Sequence, residues 1–576
     1  MAPLAYRFVR FLFKVLANAF YAIEVEGIEY IPPDGCSTIL CPNHANSLTD
    51  PICLLAAIPK DKRDMIRMTA KDTFWHNTDF FSILIRSLGT VPIKRTKDYN
   101  YAKVDNSESF EKLIESLEQG DCVCMFPEGI SRYHSRVAPF KPGVALIASE
   151  TLTRNKDSPN FSINLLTVSL VYIRREKFRS NVLVKFNPPI VLTPQHQSLL
   201  KTITSDGKKR TSEQAINELT SVMEETVRSN TLDSPDWQTL RIAHTARKLY
   251  AGNLGTRISL AEYVRLTKKF IDALAKASEE SNVGGQCNEN NEVNNEDKEI
   301  IVERVDSNVL HVDNPAFKEK ITHQDIDIHT LSRDLAAYQD LLDSHGIKDY
   351  RFSRAIPLSK PELIGRIFIR VVWASILATI SSLNPKSADT ENCPNSQLQT
   401  TSASIATIIP VQITLIFDFL SIMYKEYQIR KLPKEDNYDE ITQYKLLIAA
   451  ILLVPIYITA VFLTIPFAFI TSWLIPLLMW LTIRWTEDLF QAMRSCLSLT
   501  KLLLLPKEEY AHIKSIRENI REKVQILAVN ELGLPDNPEV LVNKSRPRGM
   551  GYFSIKKRRK KDYNEVLRLW DVSAYD

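Results

Sequence analysis

Cysteine is sparse and unpatterned in this 576-residue chain: eight residues, with no spacing that suits a metal or a disulfide framework. Cys122 and Cys124 lie two apart on a predicted strand, so they share one face and do not bridge. A structural metal is excluded, and a reduced, cytosol-facing protein is expected. A net charge of +4 is too small to indicate nucleic acid by itself. Internal repeats are absent. Ala17-Asn18-Ala19 mimics a signal-peptidase site, but Arg10 and Lys14 interrupt the apolar run before it, so there is no secretory h-region. The Gly-x-Ser-x-Gly elbow is missing too, which argues against a nucleophilic serine of that type.

What is present is alternation. Short apolar runs at residues 38–41, 65–69, 90–93, 122–126, 165–172 and 182–186 read as strands. Phe110, Leu113, Ile114 and Leu117 repeat at helical spacing between two of them. This predicts an α/β fold over 31–204, a sheet with helices on both faces. Residues 205–362 read as helical and polar, interrupted by a stretch at 278–299 rich in Asn, Glu and Gly and expected to be disordered.

Two regions carry membrane signals. Within residues 1–30, Arg7, Arg10, Lys14 and Asn18 fall on one helical face, while Leu4, Phe8, Phe11, Leu12, Val15 and Phe20 cover much of the rest. That pattern fits a basic amphipathic helix lying in a membrane interface, or equally a helix packed on the domain's core. Between 363 and 500, residues 367–383 and 404–423 are mostly apolar, and 446–483 holds no charged residue. One span needs ~20 residues, so about four spans are expected. Lys and Arg crowd their flanks, whereas 384–403 holds only Lys386, which places both long polar parts on the cytosolic side. The 501–576 tail contains an unbroken basic run of six residues, 556–561, suited to anionic head groups or to solvent.

The chemistry concentrates in two stretches. Pro42-Asn43-His44-Ala45-Asn46-Ser47-Leu48-Thr49-Asp50-Pro51 follows a predicted strand, and Phe126-Pro127-Glu128-Gly129-Ile130-Ser131-Arg132 ends another. A histidine paired with a carboxylate deprotonates a hydroxyl at neutral pH. The imidazole takes the proton while the carboxylate fixes its tautomer. His44 and Asp50 are separated by five residues, a spacing that does not share one helix face, so the two meet only if His44 lies in the loop before the helix. Asp50, just ahead of Pro51, also fits a helix N-cap.

These stretches resemble the glycerol-phosphate and lysophosphatidate acyltransferase superfamily, which carries His-x4-Asp and Glu-Gly blocks. The extra residue, the flanking His-Ala-Asn, and Asp236-Trp237 with the helix after it are similar to its fungal sn-1 glycerol-3-phosphate/dihydroxyacetone-phosphate branch. Gly89-Thr90-Val91-Pro92-Ile93-Lys94-Arg95 resembles the block whose Arg meets the acceptor's phosphate. Pro139-Phe140-Lys141-Pro142-Gly143 resembles a further element, and Val168–Tyr172 a fourth block with acyl-site walls.

The resemblance implies an α/β acyltransferase sheet, with His44 as base and Asp50 as its orienting partner. Arg95, Arg132 and Lys94 are its candidates for the phosphate, Glu128 for the acceptor hydroxyl or for ordering a cationic neighbour, and backbone N–H groups after Gly129 for the oxyanion. Acyl-CoA is the implied co-substrate, with no cofactor or metal. Glycerol 3-phosphate or dihydroxyacetone phosphate is the implied acceptor, at an endoplasmic reticulum membrane with the active site and both termini cytosolic. Lysophosphatidate acyl transfer and a silent membrane scaffold are the alternatives; intact His44, Asp50, Glu128 and Arg95 count against the second.

Overall fold

The computed structural model describes residues 3–541 apart from 77–79, 101–103, 132–133, 174, 176–179, 201, 204–208, 211, 252–257, 284–326 and most of 350–495. Its centre is an eight-stranded sheet. The strands are β1 (Tyr21–Glu26), β2 (Thr38–Pro42), β3 (Arg67–Lys71), β4 (Val91–Ile93), β5 (Cys122–Cys124), β6 (Ile163–Tyr172), β7 (Ser180–Phe186) and β8 (Ile190–Leu192). They run in the order β1-β7-β6-β2-β5-β3-β4, with β8 beside the start of β6. β6, β2, β5, β3 and β4 are mutually parallel, whereas β7 and β8 run antiparallel to β6. The parallel strands therefore end along one edge, where open α/β sheets place ligand chemistry.

β2 is buried along its whole length because both faces are covered. Leu40 joins Leu166, Val168, Leu170 and Val184 beneath α1 (Leu4–Phe20) and α2 (Thr49–Ala57). Ile39 and Cys41 face the other way, into a core with Val123 and Leu165. That core is shared by α5 (Ser107–Glu118), α6 (Gly143–Arg154) and α7 (Glu213–Ser229). Two shorter helices, α3 (Thr73–His76) and α4 (Phe80–Ser87), connect β3 to β4. All six strands expected from the sequence form. β1 and β8 do not stand out in the sequence because their residues, Tyr21-Ala-Ile-Glu-Val-Glu and Ile190-Val-Leu, are too short or too mixed to show a period. Cys122 and Cys124 are buried on one face and free, as are Cys36, Cys41, Cys53 and Cys496.

Helix α1 packs one face on the domain's core, one of the two arrangements its pattern allows. Arg10 is buried, and its guanidinium donates to the carbonyls of Arg63 at 2.7 Å, Ile58 at 2.8 Å and Asp64 at 2.9 Å. A buried cation is tolerated only with such partners. Tyr6, Val9, Phe13 and Ala17 flank Arg10 and pack into the sheet's core. The opposite ridge of Leu4, Phe8, Phe11 and Val15 is apolar and exposed.

Helices α8 (Trp237–Ala251), α9 (Leu260–Val283), α10 (Ile328–Ser344) and α11 (Lys507–Asn530) build a second core, which borrows Val171 and Leu183 from the sheet. Buried Asp349 ties it internally, accepting from Arg517 Nε at 2.8 Å and from the Tyr338 hydroxyl at 2.7 Å. The expected disordered stretch begins too early: α9 continues to Val283, since no helix breaker precedes Gly284-Gly285. The rest of 278–299, the basic run 556–561 and almost all of the three apolar stretches lie outside the described residues. No helix among the described residues is long and apolar enough to cross a membrane.

Candidate active site

β2 delivers Asn43 and His44 to the carboxyl edge of the sheet. Asn43 extends the ladder with its side chain: Nδ2 donates to the Leu170 carbonyl at 3.0 Å and Oδ1 accepts the Leu170 N–H at 2.7 Å. His44 then lies in the loop before α2, as its spacing from Asp50 requires. The loop reverses through Ser47, whose φ of 44° is left-handed and unusual for a non-glycine. That turn absorbs the fifth intervening residue and brings Asp50, in the first turn of α2, back beneath His44. His44 Nδ1 lies 2.8 Å from Asp50 Oδ2. Asp50 does not cap its helix. Its Oδ2 also accepts the Asn46 N–H at 2.8 Å, and the side chain is wholly buried.

Because the carboxylate can only accept, Nδ1 of the neutral ring carries the hydrogen and Nε2 keeps the lone pair. The imidazole stacks on Phe126 with ring centroids 4.2 Å apart, and its side chain is 20% exposed. An imidazole that is both held and reachable is the result.

Glu128 takes a role its motif did not reveal. Its Oε1 accepts the His44 N–H at 2.5 Å and its Oε2 accepts the Ala138 N–H at 3.1 Å. Burial pushes its pKa up, opposed by the His44 N–H and by attraction to His44. Glu128 thus clamps the base's backbone to the loop after β5. Ser131 adds a second tie, its hydroxyl accepting the Ser47 N–H at 2.8 Å. Arg175 donates to the Ala45 carbonyl, and Asn46 Nδ2 donates to the Tyr21 hydroxyl at 3.2 Å. Three separate segments, the loop after β5, residue 175 and β1, therefore pin residues 44–47. Tyr21 and Arg175 carry no motif, and only the fold brings them here.

Gly129 has φ 71°, and a Cβ there would stand 2.7 Å from Lys141 Nζ. Gly129→Ala is expected to lower stability by about 1–2 kcal/mol, chiefly through left-handed backbone strain, with the lysine tip moving aside. Thermal unfolding of the two proteins checks this. An unchanged midpoint would show that the turn tolerates a side chain.

The phosphate candidates are not gathered at the dyad. Arg95 follows β4, and its Nε and Nη2 bond the two oxygens of Asp98 at 2.8 and 3.0 Å. β4 stands three strands from β2, roughly 14 Å at ~4.8 Å per strand. Lys94 is exposed, with its N–H donated to Asn106 Oδ1 at 2.8 Å. Arg132 lies outside the described residues. Among the described residues, no group of three or more acidic, histidine or cysteine side chains could hold a metal ion.

Residues 22–171 match the family model for the acyltransferase family. The chain is 27% identical over 174 residues to glycerol-3-phosphate O-acyltransferase 1 of Saccharomyces cerevisiae, covering 30% of this chain and 22% of that protein. It is 27% identical over 187 residues to glycerol-3-phosphate O-acyltransferase 2 of the same yeast, covering 32% and 24%. The chloroplastic 1-acyl-sn-glycerol-3-phosphate acyltransferase LPAT1 of Arabidopsis thaliana is 25% identical over 158 residues, covering 26% and 40%. The crystal structure of the 1-acyl-sn-glycerophosphate acyltransferase PlsC of Thermotoga maritima aligns with 39% of this chain and 78% of its own, at 20% identity and a TM-score of 0.26. The chain thus spans less than a quarter of the length of the two yeast relatives. Residues 22–171 are thus similar to an acyltransferase domain.

Proposed function

We propose that this chain transfers an acyl group from acyl-CoA to the sn-1 hydroxyl of glycerol 3-phosphate, or to the hydroxyl of dihydroxyacetone phosphate. The observation that carries this reading is the His44–Asp50 pair at the carboxyl edge of the sheet, with Nδ1 engaged at 2.8 Å and the ring still partly open. Similarity to two yeast glycerol-3-phosphate O-acyltransferases supports the acceptor.

In this mechanism His44 Nε2 takes the acceptor's hydroxyl proton as the oxygen attacks the thioester carbonyl. Asp50 stabilises the imidazolium that forms. The tetrahedral intermediate collapses, its C–S bond breaks, and the proton on Nε2 passes to the departing sulfur. An ordinary thiol, with a pKa of ~8.5, is a good leaving group, so no covalent enzyme intermediate is required. Arg95 holds the acceptor's phosphate, and Arg132 and Lys94 are the next candidates. Purified protein offered labelled acyl-CoA with glycerol 3-phosphate, dihydroxyacetone phosphate and lysophosphatidate in turn tests the reading. Exclusive use of lysophosphatidate would replace it with the second acyltransferase reading, which the chloroplast relative favours.

In the same reading the domain sits on the cytosolic face of the endoplasmic reticulum membrane, held by the apolar stretches between 363 and 500. Helix α1 supplies a surface for that seat: Leu4 is 85% exposed, Phe8 66%, Phe11 59% and Val15 49%, flanked by Arg7 and Lys14. An apolar ridge beside basic residues suits an anionic leaflet. Phe8→Cys and Phe11→Cys, labelled with an environment-sensitive fluorophore in nanodiscs, should be quenched by brominated lipid. The same label at Lys14→Cys should be quenched less. Equal insensitivity at all three positions would lift the ridge off the bilayer.

A further inference from the structure

The carboxylate of the dyad has a second oxygen. Asp50 Oδ2 is fully engaged with His44 and Asn46, but Asp50 Oδ1 is buried and makes no hydrogen bond. The Tyr172 hydroxyl is equally buried and equally without a hydrogen bond. A lone buried polar atom is expensive, and two such atoms side by side relieve each other.

The sheet explains why they are neighbours. β6 runs parallel to β2 with Val168 beside Pro42, and Asn43 carries that pairing on to Leu170. Tyr172 lies two residues further, so it shares the face of Val168 and Leu170. That face packs beneath α2, whose first turn holds Asp50 and whose next turn holds Cys53. Tyr172 also stands edge-on to Tyr21 with ring centroids 5.7 Å apart, and the Tyr21 hydroxyl accepts from Asn46 in the dyad's own loop.

We propose that Tyr172 is a positioning residue: its hydroxyl donates to Asp50 Oδ1 and fixes the rotation of the carboxylate that keeps Oδ2 on His44. The χ2 torsion of an aspartate is broad and roughly two-fold, so the side chain's own preference does not set that rotation. Burial pushes the Tyr172 hydroxyl's pKa up, and the adjoining Asp50 charge pushes it further, which keeps the phenol protonated and a donor throughout the working range. Cys53 is likewise held as a thiol by burial. The titratable groups around Asp50 are thus His44 in its loop, Glu128 after β5, Tyr172 on β6, Tyr21 on β1 and Cys53 on α2. The Arg175 guanidinium stands just behind, on Ala45.

This role rests on His44 acting as the base, and the two are tested apart. The full chain carrying Tyr172→Phe, in detergent or nanodiscs, should lose roughly tenfold or more in kcat, as expected for removing a hydrogen bond to a charged group. The KM for acyl-CoA and for glycerol 3-phosphate should stay unchanged. The acid limb of the kcat/KM profile reports the free enzyme's base. It should move to higher pH, because one donor fewer leaves more of the carboxylate's charge on His44. Site-specific fluorotyrosine at 172, a stronger donor of nearly the same shape, should move it the other way. It also serves if Tyr172→Phe fails to fold. A purely structural Tyr172 would lower the amount of active protein and leave the limb in place. An unmoved limb in both variants, with His44→Ala inactive, overturns the role of Tyr172 alone. Full turnover in His44→Ala overturns the dyad itself.

Discussion

His44→Ala is expected to lower turnover by ~10²–10⁴-fold, the range in which a positioned general base contributes. The KM values should change little, because the ring meets the proton in flight and not the bulk of either substrate. The loss should not be rescued by raising the pH moderately, since the hydroxyl of a glycerol phosphate does not ionise there. The protein should remain folded. His44 is a loop residue with a partly exposed ring, and its backbone is held by Glu128 through the His44 N–H, a bond alanine keeps. What alanine removes is the imidazole's bond to buried Asp50 Oδ2, leaving that oxygen the Asn46 N–H. Some fall in the unfolding midpoint is therefore expected, on the scale of a single charge-assisted hydrogen bond of ~1.5–3 kcal/mol. Steady-state kinetics beside thermal unfolding separates the two effects. Activity near that of the unmutated protein, at any measured stability, would remove His44 from the chemistry.

Much of this site was legible in the residues, and the reasons are local. Strand composition located the sheet's centre, since β2, β5 and β6 are buried on both faces and read as apolar runs with only small polar breaks such as Thr167 and Ser169. The His44–Asp50 spacing excluded a shared helix face and so required His44 in the loop, where it lies. What the residues did not show is long-range. Tyr21, Tyr172 and Arg175 reach the dyad only because β1 pairs with β7, β7 with β6 and β6 with β2. Glu128 shows the same limit at a motif residue. Its motif says nothing of the two backbone N–H groups, of His44 and Ala138, that its oxygens accept. Arg10 departs from expectation for a related reason. A helical wheel places Arg10 beside Arg7 and Lys14, and only the turn at 58–64, which offers it three carbonyls, buries Arg10 while Lys14 stays exposed.

Arg95→Ala is expected to lower kcat/KM for glycerol 3-phosphate by roughly 10- to 150-fold, from a phosphate hydrogen bond worth ~1.5–3 kcal/mol. The guanidinium is already bidentate to Asp98, so phosphate has to compete with that pair. Magnitudes favour the phosphate. A solvent-facing ion pair contributes only about 0–1 kcal/mol, because water screens it and two side chains lose freedom to form it. Phosphate brings more charge and three acceptor oxygens to the same planar fork. In the proposed reading Asp98 would hold the fork until the acceptor displaces it. The loss should fall equally on dihydroxyacetone phosphate, which shares the phosphate, and the KM for acyl-CoA should hold. Arg95→Lys should recover only part of the activity, since an ammonium supplies charge without the parallel pair of donors. Two strands, β5 and β3, separate β4 from β2, so in the proposed reading Arg95 would meet the acceptor's phosphate and not its reacting hydroxyl. If Arg95→Ala instead raises the KM for acyl-CoA and spares the acceptor, the fork belongs to the phosphates of CoA and Arg132 takes its place at the acceptor.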